Sequence, residues 1–176
     1  MLSVQFGKKE IASLLAALLI AFAAVVAFKH LPQLRHIGYL EIFVASFLSS
    51  ATILLPLPGF ALVFAAASYL NPLLLGLAAG VGSGLGEISG FMAGLAGHST
   101  VKQTKFFKLH QSQIRKYGSA AVFVLAVIPN PVFDVVGMAA GALKMEWWKF
   151  LVAAIAGKSL RYMVLAFLGE FSSAWV

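Results

Sequence analysis

The stretch that most constrains this chain is Ile128-Pro129-Asn130-Pro131-Val132-Phe133-Asp134. Apolar residues lead up to it from Ala120 to Val127 and away from it to Leu143. Two prolines one residue apart cannot lie inside an intact helix, because each lacks a backbone donor and its ring collides with the preceding turn. The chain must rise for about ten residues, break, and continue for about ten more. At ~1.5 Å per residue each arm reaches about half a bilayer. This is the pattern of a re-entrant hairpin, whose broken backbone survives at membrane depth only inside protein or beside water. Asn130 can cap the second arm, with Pro131 at its first helical position. The competing reading is a single proline-kinked span from Ala120 to Leu143.

The remainder of the chain agrees with a membrane setting. It has 176 residues, 61% hydrophobic and 11% charged, with mean hydropathy +0.93, whereas a soluble domain carries about 25% charged residues. One compact membrane domain over 1–176 is expected. The formal charge of +7 lies mostly in polar connectors, where lysine and arginine set topology and meet anionic lipid, so nucleic acid is not the expected partner. With no cysteine, disulfides and thiolate metal sites are excluded. The four histidines are scattered, and no HExxH, GxSxG or Walker-type loop occurs. Neither a metal, a cofactor nor an enzymatic activity is expected.

In chain order, 1–38 holds an apolar run from Ile11 to Phe28, at the lower edge of spanning length, and a polar connector. Residues 39–97 repeat the proline pattern. Arms from Ile42 to Leu55 and from Phe60 to Leu70 flank Pro56-Leu57-Pro58-Gly59, and Glu41 stands at the entrance. Its reading is an interfacial carboxylate or a titrating group. Asn71-Pro72 turns the chain into a glycine-rich span, Leu73 to Ala96. Gly76, Gly80 and Gly84 share one face, and Gly82, Gly86, Gly90 and Gly94 form a second row. Small residues at this spacing let helix backbones approach closely on two sides. Glu87 continues the first row near mid-span, where a carboxylate is costly and usually functional. Gly82-Ser83-Gly84-Leu85-Gly86 follows no strand and reads as packing rather than as a nucleotide loop. Residues 98–117, with Lys102, Lys105, Lys108, Arg115 and Lys116, read as a basic amphipathic helix on the membrane surface. Residues 118–176 hold the second hairpin, the belt residues Trp147 and Trp148, and a last span from Phe150 to Gly169 with Lys158 and Arg161 at its middle.

Placing the basic helix inside makes the two hairpins enter from opposite faces, each followed by one full span. Glu87 follows Pro58 at nearly the spacing at which Arg161 follows Pro131. The expectation is an all-α polytopic protein with two opposed re-entrant hairpins, about three full transmembrane helices and a basic surface helix, organised as a weak inverted repeat. Four charged residues fall at membrane depth: Glu87, Asp134, Lys158 and Arg161. The second arms begin near the midplane with free N–H groups and positive dipole ends. An anion site is one reading, with a phosphate head group as the anion and Glu87 and Asp134 exchanging protons. A structural ion-pair network is the other.

Leu55 to Gly97 (LPLPGFALVFAAASYLNPLLLGLAAGVGSGLGEISGFMAGLAG) and Ala126 to Gly169 (AVIPNPVFDVVGMAAGALKMEWWKFLVAAIAGKSLRYMVLAFLG) resemble the VTT-domain or DedA family, also called SNARE-associated Golgi proteins. The resemblance implies two opposed re-entrant hairpins and movement of lipids between leaflets: polyprenyl phosphate in bacteria, phospholipid in eukaryotic relatives. Glu87 matches the family's acid in the glycine-rich span. Phe60 stands where many members have an acid. Asn130 and Asp134 occupy the region where many have arginines, and Lys158 and Arg161 would supply that charge from the last span. The expected function is leaflet-to-leaflet passage of a phospholipid or polyprenyl phosphate head group between the hairpins. The expected setting is a prokaryotic cytoplasmic membrane and the expected partners are anionic or phosphate-bearing lipids. A proton-coupled carrier of a small soluble anion and a non-transporting assembly protein are the alternatives. The residues expected on the path are Glu87, Asp134, Lys158, Arg161 and Asn130, with breaks at Pro56, Pro58, Gly59, Pro129 and Pro131.

Overall fold

The computed structural model describes residues 37–51, 59–96, 116–128 and 133–173. Among them every regular element is an α-helix: α1 (Tyr39–Ala51), α2 (Gly59–Ala66), α3 (Pro72–Gly86), α4 (Ile88–Ala96), α5 (Ser119–Val127), α6 (Phe133–Ala142) and α7 (Trp147–Ser173). The helices Pro72–Ala96 and Trp147–Ser172 are long and apolar enough to cross a membrane. The Ile11–Phe28 run, the basic stretch up to Arg115 and both double-proline breaks lie outside the described residues.

The local starts and stops follow from side-chain chemistry. Asn71 caps α3 by accepting the Leu73 and Leu74 N–H groups, at 3.0 and 3.2 Å, with Pro72 at the first helical position. Glu41 accepts the Gly38 N–H at 2.9 Å and so closes the open end of α1. Gly118, at φ +52°, swings the chain into α5. At the other end of this pair, α6 stops in a left-handed cap. Lys144 has φ +56°, its N–H donates to Gly141 O at 2.9 Å, and the Met145 N–H donates to Ala140 O at 3.0 Å. Glu146 then accepts from Lys149 at 2.6 Å as α7 begins, which holds its carboxyl below the usual carboxylate range.

The two glycine rows account for the packing. A Cβ on Gly84 would lie 2.8 Å from Ile155 Cα, and Gly80 and Gly76 press in the same way on Ser159 and Met163. The first row therefore lies flat against an antiparallel α7. The second row meets the backbone carbonyls of Phe43 at Gly82 and of Phe47 at Gly86, so α1 and α3 run parallel. The chain has come back between them: the Asn71 N–H reaches the Tyr39 hydroxyl at 3.1 Å. Gly94 and Gly141 let α4 and α6 cross antiparallel, at Met138 O and Phe91 O. Gly157 admits α5, and Gly169 admits α2, each against α7.

Two apolar cores result. One gathers Phe91, Val122, Phe133, Val136 and Phe150 from α4, α5, α6 and the first half of α7. The other gathers Ile42, Val63, Leu75, Tyr162 and Ala166 from α1, α2, α3 and the second half of α7. Both cores are rich in alanine, while Leu73, Leu74, Met92, Val164, Phe167 and Leu168 point outward. Small residues inside and bulky apolar ones outside suit lipid, where burying Leu brings no hydrophobic gain and close backbone contact provides the cohesion.

Candidate functional site

Between the two cores lies a polar layer, near mid-length of both long helices. The Pro72–Ala96 helix is interrupted there, so the span expected as one piece is two helices meeting at Glu87. The Glu87 N–H turns to Gly84 O at 3.3 Å rather than to Ser83 O four residues back. Lys158 of α7 reaches the Ser83 carbonyl instead, at 3.3 Å. The same ammonium donates to Ser83 Oγ at 2.8 Å and to Ser50 Oγ at 3.2 Å, and it pairs with Glu87 Oε1. The two serine hydroxyls share a 2.6 Å hydrogen bond. Glu87 is 1% exposed and Lys158 3%, so each charge has exchanged water for the other. A Cβ on Gly137 would stand 3.4 Å from Glu87 Oε2, which brings α6 to the carboxylate's other side. The Phe133 ring, at the first residue of α6, lies 5.1 Å from the ammonium.

Arg161, one turn further along α7, has different surroundings. It is 8% exposed. Its guanidinium carbon lies 4.9 Å from the Phe60 ring centroid and 5.3 Å from that of Tyr162, and the two rings stack at 5.4 Å. Aromatic faces attract a cation but accept no conventional hydrogen bond. Its Nε is buried without a hydrogen-bond partner, and no carboxylate pairs with it among the described residues. The first turns of the two short second arms thus meet the two cations, Phe60 of α2 at Arg161 and Phe133 of α6 at Lys158.

The structure brings Glu87 and Lys158 together and sets Arg161 apart from them. Glu41 lies outside the layer, exposed and engaged with Gly38. Gly59 opens α2. Asn130, Pro56, Pro58, Pro129, Pro131 and the Asp134 side chain lie outside the described parts. No cluster of metal-ligating side chains occurs among the described residues. Sequence reading did not single out Ser50, Ser83 or Tyr162. Ser83 carried a signal, because it lies one helical turn before Glu87 and so shares its face. Ser50 and Tyr162 carried none.

The family model of the VTT domain matches residues 57–171, more than half of the chain. Vacuole membrane protein KMS2 of Arabidopsis thaliana is 32% identical over 75 residues, 43% of this chain and 16% of that protein. Vacuole membrane protein KMS1 of the same plant is 35% identical over 74 residues, 42% of this chain and 16% of that protein. The match thus spans about a sixth of the length of these curated relatives. No solved structure matches.

Proposed function

Because this chain belongs to the VTT-domain family, whose model runs from just before α2 to near the end of α7, we propose that it moves a lipid head group between membrane leaflets. The observation that carries the reading is the polar layer itself. Glu87, Lys158 and Arg161 lie buried between two apolar cores, and ionisable groups at such depth mark substrate paths. The layer also approaches the protein's flank. Phe60, whose ring lies beside Arg161, is 41% exposed. A path for a lipid has to open sideways so that the tails stay in the bilayer, whereas a carrier of a soluble anion encloses its site.

In this reading α1–α2 and α5–α6 are re-entrant hairpins dipping from opposite faces, and their second arms aim N-termini at the layer. The cargo is an anionic or phosphate-bearing lipid, a phospholipid or polyprenyl phosphate. Glu87 and Asp134 are the groups that would exchange protons during its passage. The membrane is a prokaryotic cytoplasmic membrane, and the protein is a transporter rather than an enzyme.

The test is leaflet exchange of a fluorescent phospholipid in vesicles reconstituted with the purified protein, read by dithionite quenching of the outer leaflet. Exchange well above that of protein-free vesicles is expected, with loss in Glu87→Gln. Wild-type exchange equal to protein-free vesicles would refute the reading.

A further inference from the structure

Four oxygens surround Lys158 Nζ: Ser83 Oγ at 2.8 Å, Ser50 Oγ at 3.2 Å, Ser83 O at 3.3 Å and Glu87 Oε1. An ammonium has three N–H donors, so these oxygens enclose it as a point charge rather than through one bond per proton. None of the four belongs to α7, the helix that carries the lysine. Ser50 comes from α1, Ser83 from the last turn of α3, and Glu87 from the break that follows it. The Ser83 carbonyl is available because the Glu87 N–H turns to Gly84 O, and it bears the negative end of the α3 dipole. The two serine hydroxyls are fixed to each other at 2.6 Å, and the Phe133 ring lies 5.1 Å from the charge. Freed carbonyls at the C-terminal end of an interrupted membrane helix are the groups with which transporters coordinate small cations such as Na⁺.

We propose that these four oxygens form a site for a small monovalent cation, and that the Lys158 ammonium is its tethered occupant. The oxygens are held by α1, α3 and the break, so the site does not depend on the lysine stem. Shortening Lys158 to alanine removes three carbons and the nitrogen. It leaves the oxygens around a void the length of n-propylammonium, which a soluble cation can enter. In the intact protein the site is filled from within, and the fold needs neither Na⁺ nor K⁺ from solution. That leaflet exchange is equally independent of these ions rests on the translocation reading above; the chemistry of the site does not.

The experiment is thermal unfolding of the full chain in a neutral maltoside detergent, in tetramethylammonium chloride partly replaced, at constant ionic strength, by n-propylammonium chloride, NaCl or KCl. The neutral control is 1-propanol, which has the same length as n-propylammonium. n-Propylammonium should raise the Lys158→Ala midpoint saturably, by about 3–6 °C at ten times its dissociation constant, and 1-propanol should not. A rise with either alkali ion would support the site as well. Wild type should respond to none of these, and neither should Lys158→Met, whose side chain keeps the void filled. Adding Ser50→Ala to Lys158→Ala should weaken n-propylammonium binding about tenfold or more. If Lys158→Ala aggregates in tetramethylammonium, n-propylammonium present during solubilisation should recover a monodisperse peak in size-exclusion chromatography. Aggregation in every cation, no response in Lys158→Ala, an equal response to 1-propanol, or a response as large in wild type or Lys158→Met would overturn the proposal. Cation binding by Lys158→Ala beside a wild type without leaflet exchange would refute translocation alone.

Discussion

Removing one member of the Glu87–Lys158 pair should cost far more than removing both. Each side chain is at most 3% exposed, so a lone survivor is an ion stranded away from water. Breaking such a pair costs about 3–5 kcal/mol. The two single variants should not be equal. Glu87→Gln leaves the ammonium with Ser50 Oγ, Ser83 O and Ser83 Oγ as acceptors, which places it near the low end, about 3 kcal/mol. Lys158→Met strands the carboxylate and also takes the donor from Ser83 O, adding about 1 kcal/mol and reaching the high end. The double variant carries no charge, and its serine hydroxyls keep their mutual bond. It should lose only about 1–2 kcal/mol. At about 2–4 °C per kcal/mol for a chain of this size, Glu87→Gln falls by about 6–12 °C, Lys158→Met by about 10–20 °C, and the double variant by less than either. The assay is intrinsic-fluorescence unfolding of all four proteins in one detergent. A double variant that loses the sum of the two single losses would show that the charges are not coupled and refute the pairing.

Three further outcomes are expected. Gly80→Ala sets a methyl against the Ser159 backbone and must push α3 from α7, lowering stability by about 1–3 kcal/mol in the same unfolding assay; an unchanged midpoint would mean that the two helices do not meet there. Lys144→Gly relieves a left-handed residue at the end of α6 and should raise stability by up to about 1 kcal/mol, with a lowered midpoint counting against the cap. In this cysteine-free chain, single cysteines at Gly38 and Asn71 should react with an impermeant reagent from one side of the membrane, and cysteine at Lys144 from the other; Gly38 and Asn71 reacting from opposite sides would exclude a hairpin between them.

Much of the helical layout was legible in the sequence. Helices α1, α2, α5 and α6 fall in the apolar runs that flank the two double-proline stretches, which themselves lie outside the described residues. Helix limits moved where capping decided them. α2 ends at Ala66 rather than at Leu70, with Ala67 to Tyr69 forming the turn before the Asn71 cap. α7 extends past Phe150 and Gly169 at both ends. The two glycine rows were visible as spacing, since 3.6 residues per turn places positions four apart on one face. The break at Glu87 was not, because what compensates it is a donor from Lys158, far away in sequence.

The sequence by itself determined that ionisable residues such as Glu87, Lys158 and Arg161 stand within apolar runs and that glycine rows would bring backbones together, since both depend on residue type and periodicity alone. Only the tertiary structure decided which cation Glu87 meets. Lys158 and Arg161 stand three apart on one helix, about 60° around its axis from each other. The rotation of α7 against α3, set where Gly76, Gly80 and Gly84 lock onto Met163, Ser159 and Ile155, turns Lys158 into the carboxylate. The same rotation leaves Arg161 with two aromatic rings at the start of α2, and that orientation is a property of the packed helices together, encoded in no single stretch of the chain.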